Sequence, residues 1–148
     1  MRLLLGSFTH NIDTKGRINV PSSFRKQLEE VVVLTIPYTQ DAILIISQEE
    51  YIKRQRKFAQ LPTTNKNIQK FMREIDFYTS LVGIDSHGRI LIPEILREKF
   101  GLKNGEEVLI LGRGENIEIW NPKQYEASFE EDDYDADEVL RELSKLGM

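Results

Sequence analysis

Apolar and polar positions alternate through Phe8, His10 and Ile12, which predicts a β-strand running into a turn at Asp13. Beyond the turn Ile18 and Val20 share one face, with Arg17 and Asn19 on the other. Pro21 ends that strand and suits the first position of a short helix, whose apolar side is the four-apart pair Phe24 and Leu28. Continuous aliphatic runs then predict strands over 31–36 and 42–47, separated by the turn Pro37-Tyr38-Thr39-Gln40-Asp41. The same order returns further along. Ile90 and Ile92 alternate as Ile18 and Val20 do, Leu96 and Phe100 give the helix its apolar pair, and Gly101 stops it. Asn104-Gly105 marks a tight turn into a strand over 108–111, and Arg113-Gly114-Glu115-Asn116 turns the chain into a strand over 117–120.

The recurrence is literal. Asp13-Thr14-Lys15-Gly16-Arg17-Ile18-Asn19-Val20-Pro21 reappears as Asp85-Ser86-His87-Gly88-Arg89-Ile90-Leu91-Ile92-Pro93, 72 positions on, and the register holds through Arg25 and Arg97. Downstream, Ile43, Ile45, Ile46, Ser47 and Tyr51 correspond to Ile117, Ile119, Trp120, Asn121 and Tyr125, now 74 positions apart. An internal duplication sets the architecture before any single motif does. It divides the chain into a first repeat over 5–52, linking helices over 53–79, a second repeat over 80–125 and an acidic segment over 126–148. Each repeat is near the lower size limit for a free-standing core, so the two are expected to share one. The fold class this predicts is mainly β with short helices, α+β.

Helical spacing appears in three further places. Residues 48–60 and about 64–77 read as two helices around a break at Leu61-Pro62. Val139, Leu140, Leu143 and Leu146 predict a C-terminal helix whose stripe reads as a packing face. The linking helices carry Lys53, Arg54, Arg56, Lys57, Lys66, Lys70 and Arg73, with no acidic residue from Tyr51 to Met72. A solvated helix face is the simpler account of such a run, and a phosphate-facing patch the sharper one.

Charge changes the picture at the far end. Residues 126–148 carry nine acidic and two basic side chains, whereas residues 1–125 carry fifteen acidic and eighteen basic ones, so a net charge of −4 conceals a mildly basic body and an acidic tail. The tail reads first as a solvated segment and second as a polyanion mimic tempering non-specific contact with nucleic acid. There is no cysteine, which leaves no disulfide framework and no thiolate metal site. The apolar runs are far too short to span a bilayer, and the N-terminal segment has no cleavage-site pattern. A soluble cytoplasmic protein is expected, with no membrane partner.

The duplicated turn carries the chemistry. Gly16 and Gly88 supply the positive φ that a tight reversal needs, and Asp13 and Asp85 can accept the N–H two residues on. Those four residues are structural. A turn has no need of Lys15, Arg17, His87 or Arg89. Arg17 and Arg89 lie opposite inward-facing isoleucines, so two guanidinium groups are expected on one outer surface, where Arg grips phosphate or the guanine O6/N7 edge. The competing account pairs each arginine with the aspartate four residues earlier. Catalysis has little support. The only histidines are His10 and His87, and no zinc-protease, hydrolase-elbow or phosphate-loop motif occurs. No cofactor, metal or small-molecule substrate is expected, and the protein is not expected to be an enzyme.

Asp13-Thr14-Lys15-Gly16-Arg17, Asp85-Ser86-His87-Gly88-Arg89-Ile90-Leu91-Ile92-Pro93 and the ending Ile117-Glu118-Ile119-Trp120-Asn121 before Tyr125 together resemble the paired signature of the MraZ family over residues 5–125. The acidic segment from Glu126 falls outside that resemblance. These are bacterial transcriptional regulators built from two SpoVT/AbrB-type repeats. The resemblance implies a pseudo-two-fold swapped-hairpin barrel and a ring-shaped homo-oligomer. It also implies a nucleoid-associated protein that binds direct repeats of double-stranded DNA in the promoter of its own cell-division and cell-wall gene cluster, through Lys15, Arg17, His87 and Arg89. An AbrB-type antitoxin is the nearest alternative, although antitoxins usually carry one copy of the repeat. A module that binds protein partners through the basic helices and the acidic tail is the alternative of a different class.

Overall fold

In the computed structural model, which describes residues 2–130 and 134–148, the chain is a mixed α+β fold. The first repeat supplies β1 (Ser7–Asn11), β2 (Arg17–Asn19), α1 (Ser22–Arg25), β3 (Val31–Thr35) and β4 (Ile43–Ile46), and α2 (Gln48–Phe58) leads from it into the linking segment. After α3 (Lys66–Phe77) the second repeat gives β5 (Ser80–Gly83), β6 (Arg89–Leu91), α4 (Glu94–Phe100), β7 (Glu107–Gly112), β8 (Ile117–Trp120) and α5 (Pro122–Ser128), and α6 (Ala136–Lys145) follows.

Six strands form one antiparallel sheet in the order β1-β7-β8-β4-β3-β5, and β2 pairs with β6 in a separate ribbon. The order is a palindrome of the duplication. The equivalents β4 and β8 meet at the centre, β3 and β7 flank them, and the first strand of each repeat pairs with the other repeat's third strand. Neither half could form this sheet alone, which is how two pieces each too small for a core come to share one. Among the described residues β1 and β5 are not paired with each other, so the sheet is open rather than the closed barrel expected from the resemblance.

One core fills the space between the sheet and the ribbon. Ile18 and Ile90 press down from β2 and β6, Phe24 and Leu96 from the short helices, and Val32, Leu34, Ile43, Ile45, Ile117 and Ile119 rise from the sheet. The two entrances to this core are plugged by equivalent segments: Ile75 of α3, just ahead of β5, and Leu4, just ahead of β1. Leu4 exchanges backbone hydrogen bonds with Gly114, and a Cβ on Gly112 would collide with the Leu4 carbonyl oxygen. Val33, Leu44 and Ile46 face the other side of the sheet, under Tyr51 of α2. All four residues of β4 are therefore buried, which explains the unbroken aliphatic run read in the sequence.

Three expectations need correction. Pro21 and Pro93 are the residues before helices α1 and α4, not their first helical positions. Helix α1 ends at Arg25, so Leu28 packs on the core from beyond the helix. Most of the α6 stripe is not covered by its own chain: Val139, Leu140 and Leu146 are exposed, and Leu143 is half-buried. Helix α5 was not foreseen; its signal is Asn121, whose side chain accepts from the Lys123 N–H, followed at once by Pro122. No described helix is long and apolar enough to cross a membrane.

Candidate nucleic-acid interface

The ribbon puts the duplicated motif on one surface. Arg17 lies opposite Leu91, Ile18 opposite Ile90 and Asn19 opposite Arg89. With both isoleucines buried, strand alternation sends Arg17, Asn19, Arg89 and Leu91 to the outer face. Two further bonds tie each strand to the other repeat's turn, from the Val20 N–H to the Gly88 carbonyl and from the Ile92 N–H to the Gly16 carbonyl, 2.9 and 3.0 Å.

Both turns are built alike. Asp13 Oδ1 accepts the N–H of Lys15 (2.8 Å) and of Arg17 (2.9 Å), and Asp85 Oδ1 accepts those of His87 and Arg89, both at 2.9 Å. The Gly16 and Gly88 N–H groups close the turns onto the carbonyls of Asp13 and Asp85, and both glycines have positive φ, 83° and 79°. The Arg17 N–H, with the Arg17 guanidinium and the Lys15 N–H behind it, holds Asp13 down to about 2 against the opposing effect of desolvation. The Arg89 N–H, its guanidinium and the His87 N–H lower Asp85 in the same way.

The two accounts of the arginines left open by the sequence are both present in the geometry. Each guanidinium donates through Nε to its own aspartate, 2.7 Å for Arg17–Asp13 and 3.0 Å for Arg89–Asp85. Among the described residues the Nη1 and Nη2 groups of either arginine have no partner, and both side chains are about a quarter exposed, 26% and 28%. The aspartate thus aims the guanidinium and occupies only one of its donor edges. Lys15 is exposed at the tip of one turn, and His87, within 3.4 Å of the Ser86 hydroxyl, at the tip of the other.

Two further residues belong to the site. Arg97 lies on Gly16 and Arg25 on Gly88, so each repeat's late arginine covers the other repeat's turn. A Cβ on Gly16 would stand 2.7 Å from Arg97 Cζ, and one on Gly88 would run into Arg25 Nη1. Arg97 is itself fixed, donating to the Ile92 carbonyl (2.9 Å) and to Asn104 Oδ1 (3.1 Å), while Asn104 donates to the Thr14 carbonyl (2.9 Å). Their identity in the two copies was visible in the sequence, but their reach across the duplication was not.

The family described as "MraZ protein, putative antitoxin-like" matches residues 3–74 and 78–143. The chain belongs to the MraZ family. The match runs past residue 125 into the acidic segment and α6, which extends the resemblance read in the sequence. A protein of Alkaliphilus oremlandii named transcriptional regulator MraZ is 35% identical over 146 residues, covering 99% of this chain and 100% of its own length. Namesakes from Acetivibrio thermocellus and Pediococcus pentosaceus are 32% and 31% identical over the same shares. These MraZ proteins are named for regulation, a non-enzymatic role.

Proposed function

We propose that this protein is a sequence-specific DNA-binding transcriptional regulator that reads promoter repeats ahead of its own gene cluster as a ring-shaped homo-oligomer in the bacterial nucleoid. The observation that carries the reading is the β2–β6 ribbon, with Arg17 and Arg89 on one outward face and Lys15 and His87 at its two turns. A two-stranded antiparallel ribbon fits the major groove of B-DNA, where an arginine fork meets guanine O6 and N7, and turn-tip cations suit the flanking phosphates. Because each arginine spends only Nε on its aspartate, the donors needed for such contacts remain available. The names of the relatives support regulation as the outcome. The exchange of strands between repeats supports the swapped-hairpin architecture of AbrB-like proteins. Two repeats in one chain already complete the ribbon, which disfavours a single-copy antitoxin that must dimerise to build it.

The test is titration against DNA from upstream of the gene, followed by fluorescence anisotropy, with scrambled DNA as competitor. Probes carry one, two or three direct repeats, in phase or with about 5 bp inserted. A ring meets its second repeat at high effective concentration, so affinity should climb more steeply than the count of sites, and half a helical turn should remove most of the gain. Binding to upstream DNA no tighter than to scrambled DNA would end the reading, and equal per-site affinity on every probe would end the ring.

A further inference from the structure

The two edge strands of the sheet are equivalent in topology and opposite in character. At one end the edge strand β1 turns Ser7, Thr9 and Asn11 to solvent. At the other, the edge strand β5 exposes Leu81 at 65%. Position 52 on α2 is an exposed isoleucine, whereas its counterpart on α5, 74 positions on, is Glu126. Between β5 and α2 runs a groove of about 410 Å³ whose walls include Val33, Tyr51, Ile52 and Leu81. The Ser80 hydroxyl is buried at the same groove with no hydrogen-bond partner among the described residues. An open strand edge beside apolar side chains invites a partner.

The chain carries a segment of matching chemistry at its other end. Helix α6 follows α5, which packs on β7, and leaves Val139, Leu140 and Leu146 exposed with Leu143 between them. In the first half the corresponding role falls to α3, which plugs the core ahead of β5 with Ile75. The equivalent plug at the β1 entrance is already Leu4. Charge points the same way. Asp135, Asp137 and Glu138 crowd the first turn of α6 beside its apolar stripe, while Glu142 further along is paired with Lys145 at 3.0 Å. Arg56 sits one helical turn beyond Ile52 on the same side of α2, within the stretch 51–72 that holds no acidic residue.

We propose that α6 of one copy docks in the β5–α2 groove of the next, its leucine stripe on Ile52 and Leu81 and the carboxylates of its first turn toward Arg56. The contact joins two different surfaces, so it is head-to-tail, and repetition of it closes a ring if the rotation allows. This rests on the oligomeric reading above and names the surfaces that make it.

The experiment uses the full chain and follows mass by light scattering. Leu143→Asp removes the donor surface and Leu81→Asp the acceptor. Each variant alone should fall to the mass of a single chain. Mixed one to one, the Leu81→Asp chain still has a working α6 and the Leu143→Asp chain a working groove, so the mixture should give dimers and nothing larger. Retention of the wild-type mass by both variants, or a mixture that stays monomeric, overturns the proposal while leaving the ring standing if the wild type is oligomeric. A monomeric wild type overturns both. The absence of native cysteine allows a second measurement that does not depend on the charged variants folding. Chains with Leu81→Cys mixed with chains with Leu143→Cys should form disulfide-linked dimers on oxidation, well above the yield from either alone. No excess of mixed dimer, as docking of α6 within its own chain would give, rejects the contact.

Discussion

The Asp13–Arg17 and Asp85–Arg89 turns share their backbone closure, their aspartate bridge and their Nε-bound arginine, yet they differ at the tip and in what covers them. One tip holds Lys15 and the other His87. The Arg97 that covers the first turn is bonded on two sides, whereas among the described residues Arg25 over the second has no side-chain hydrogen bond. What the two turns share fixes the chain reversal and aims a guanidinium outward. What differs tunes charge and rigidity on a common frame. The two edge strands of the sheet show the same division, with identical topology and opposite surface.

The largest expected effect breaks the turns themselves. Gly16→Val and Gly88→Val both force a branched side chain to positive φ, at a cost of about 1–3 kcal/mol each. The added atoms come nearer to Arg25 than to Arg97, but Arg25 can swing aside and Arg97 is tethered. Gly16→Val should therefore be the more destabilising of the two in urea unfolding. The reverse order would show that proximity, and not tethering, governs the cover.

A smaller effect concerns acid. Both carboxyls titrate below the usual value of about 3.9 in the folded chain, so the stability they contribute is complete above about pH 4 and is lost as pH falls through the folded value, about 2 for Asp13. Amide resonances of Lys15 and Arg17 should shift together between about pH 4 and 2, those of His87 and Arg89 together below the usual carboxylate range, and Asp13→Asn and Asp85→Asn should each silence the shift in their own turn alone. A shift that survives in the substituted turn would place its origin elsewhere. Smallest of all is the difference at the tips. If Lys15 meets a phosphate, Lys15→Ala should lower the salt dependence of DNA binding by about one ion per site, and His87→Lys should raise it by a similar amount. Unchanged slopes in both would remove the tips from the interface.

The strands, the turns and the duplication were legible because each rests on local chemistry: alternation at Phe8, His10 and Ile12, glycine at 16 and 88, aspartate two residues before an N–H. The pairing of β1 with β7 and of β5 with β3 was not, because partner choice between like strands is decided by long-range packing and both repeats present similar aliphatic faces. For the same reason Arg25 and Arg97 read as helix residues until the exchange set each over the other repeat's glycine. The stripe of α6 read as a packing face because periodicity reports that a helix has an apolar side and is silent on which surface covers it.

The central claim is that both turns present their arginines to DNA as one face. Arg17→Ala, Arg89→Ala and the double variant, titrated on the upstream repeats beside wild type, test it most directly, with thermal melting as the check on folding. Each single variant should lose about 1–3 kcal/mol of specific binding per site, by comparable amounts, with melting nearly unchanged, and the double variant should bind repeats and scrambled DNA alike. Wild-type affinity in either single variant, with melting intact, would contradict the claim and leave that arginine as a strut for its aspartate.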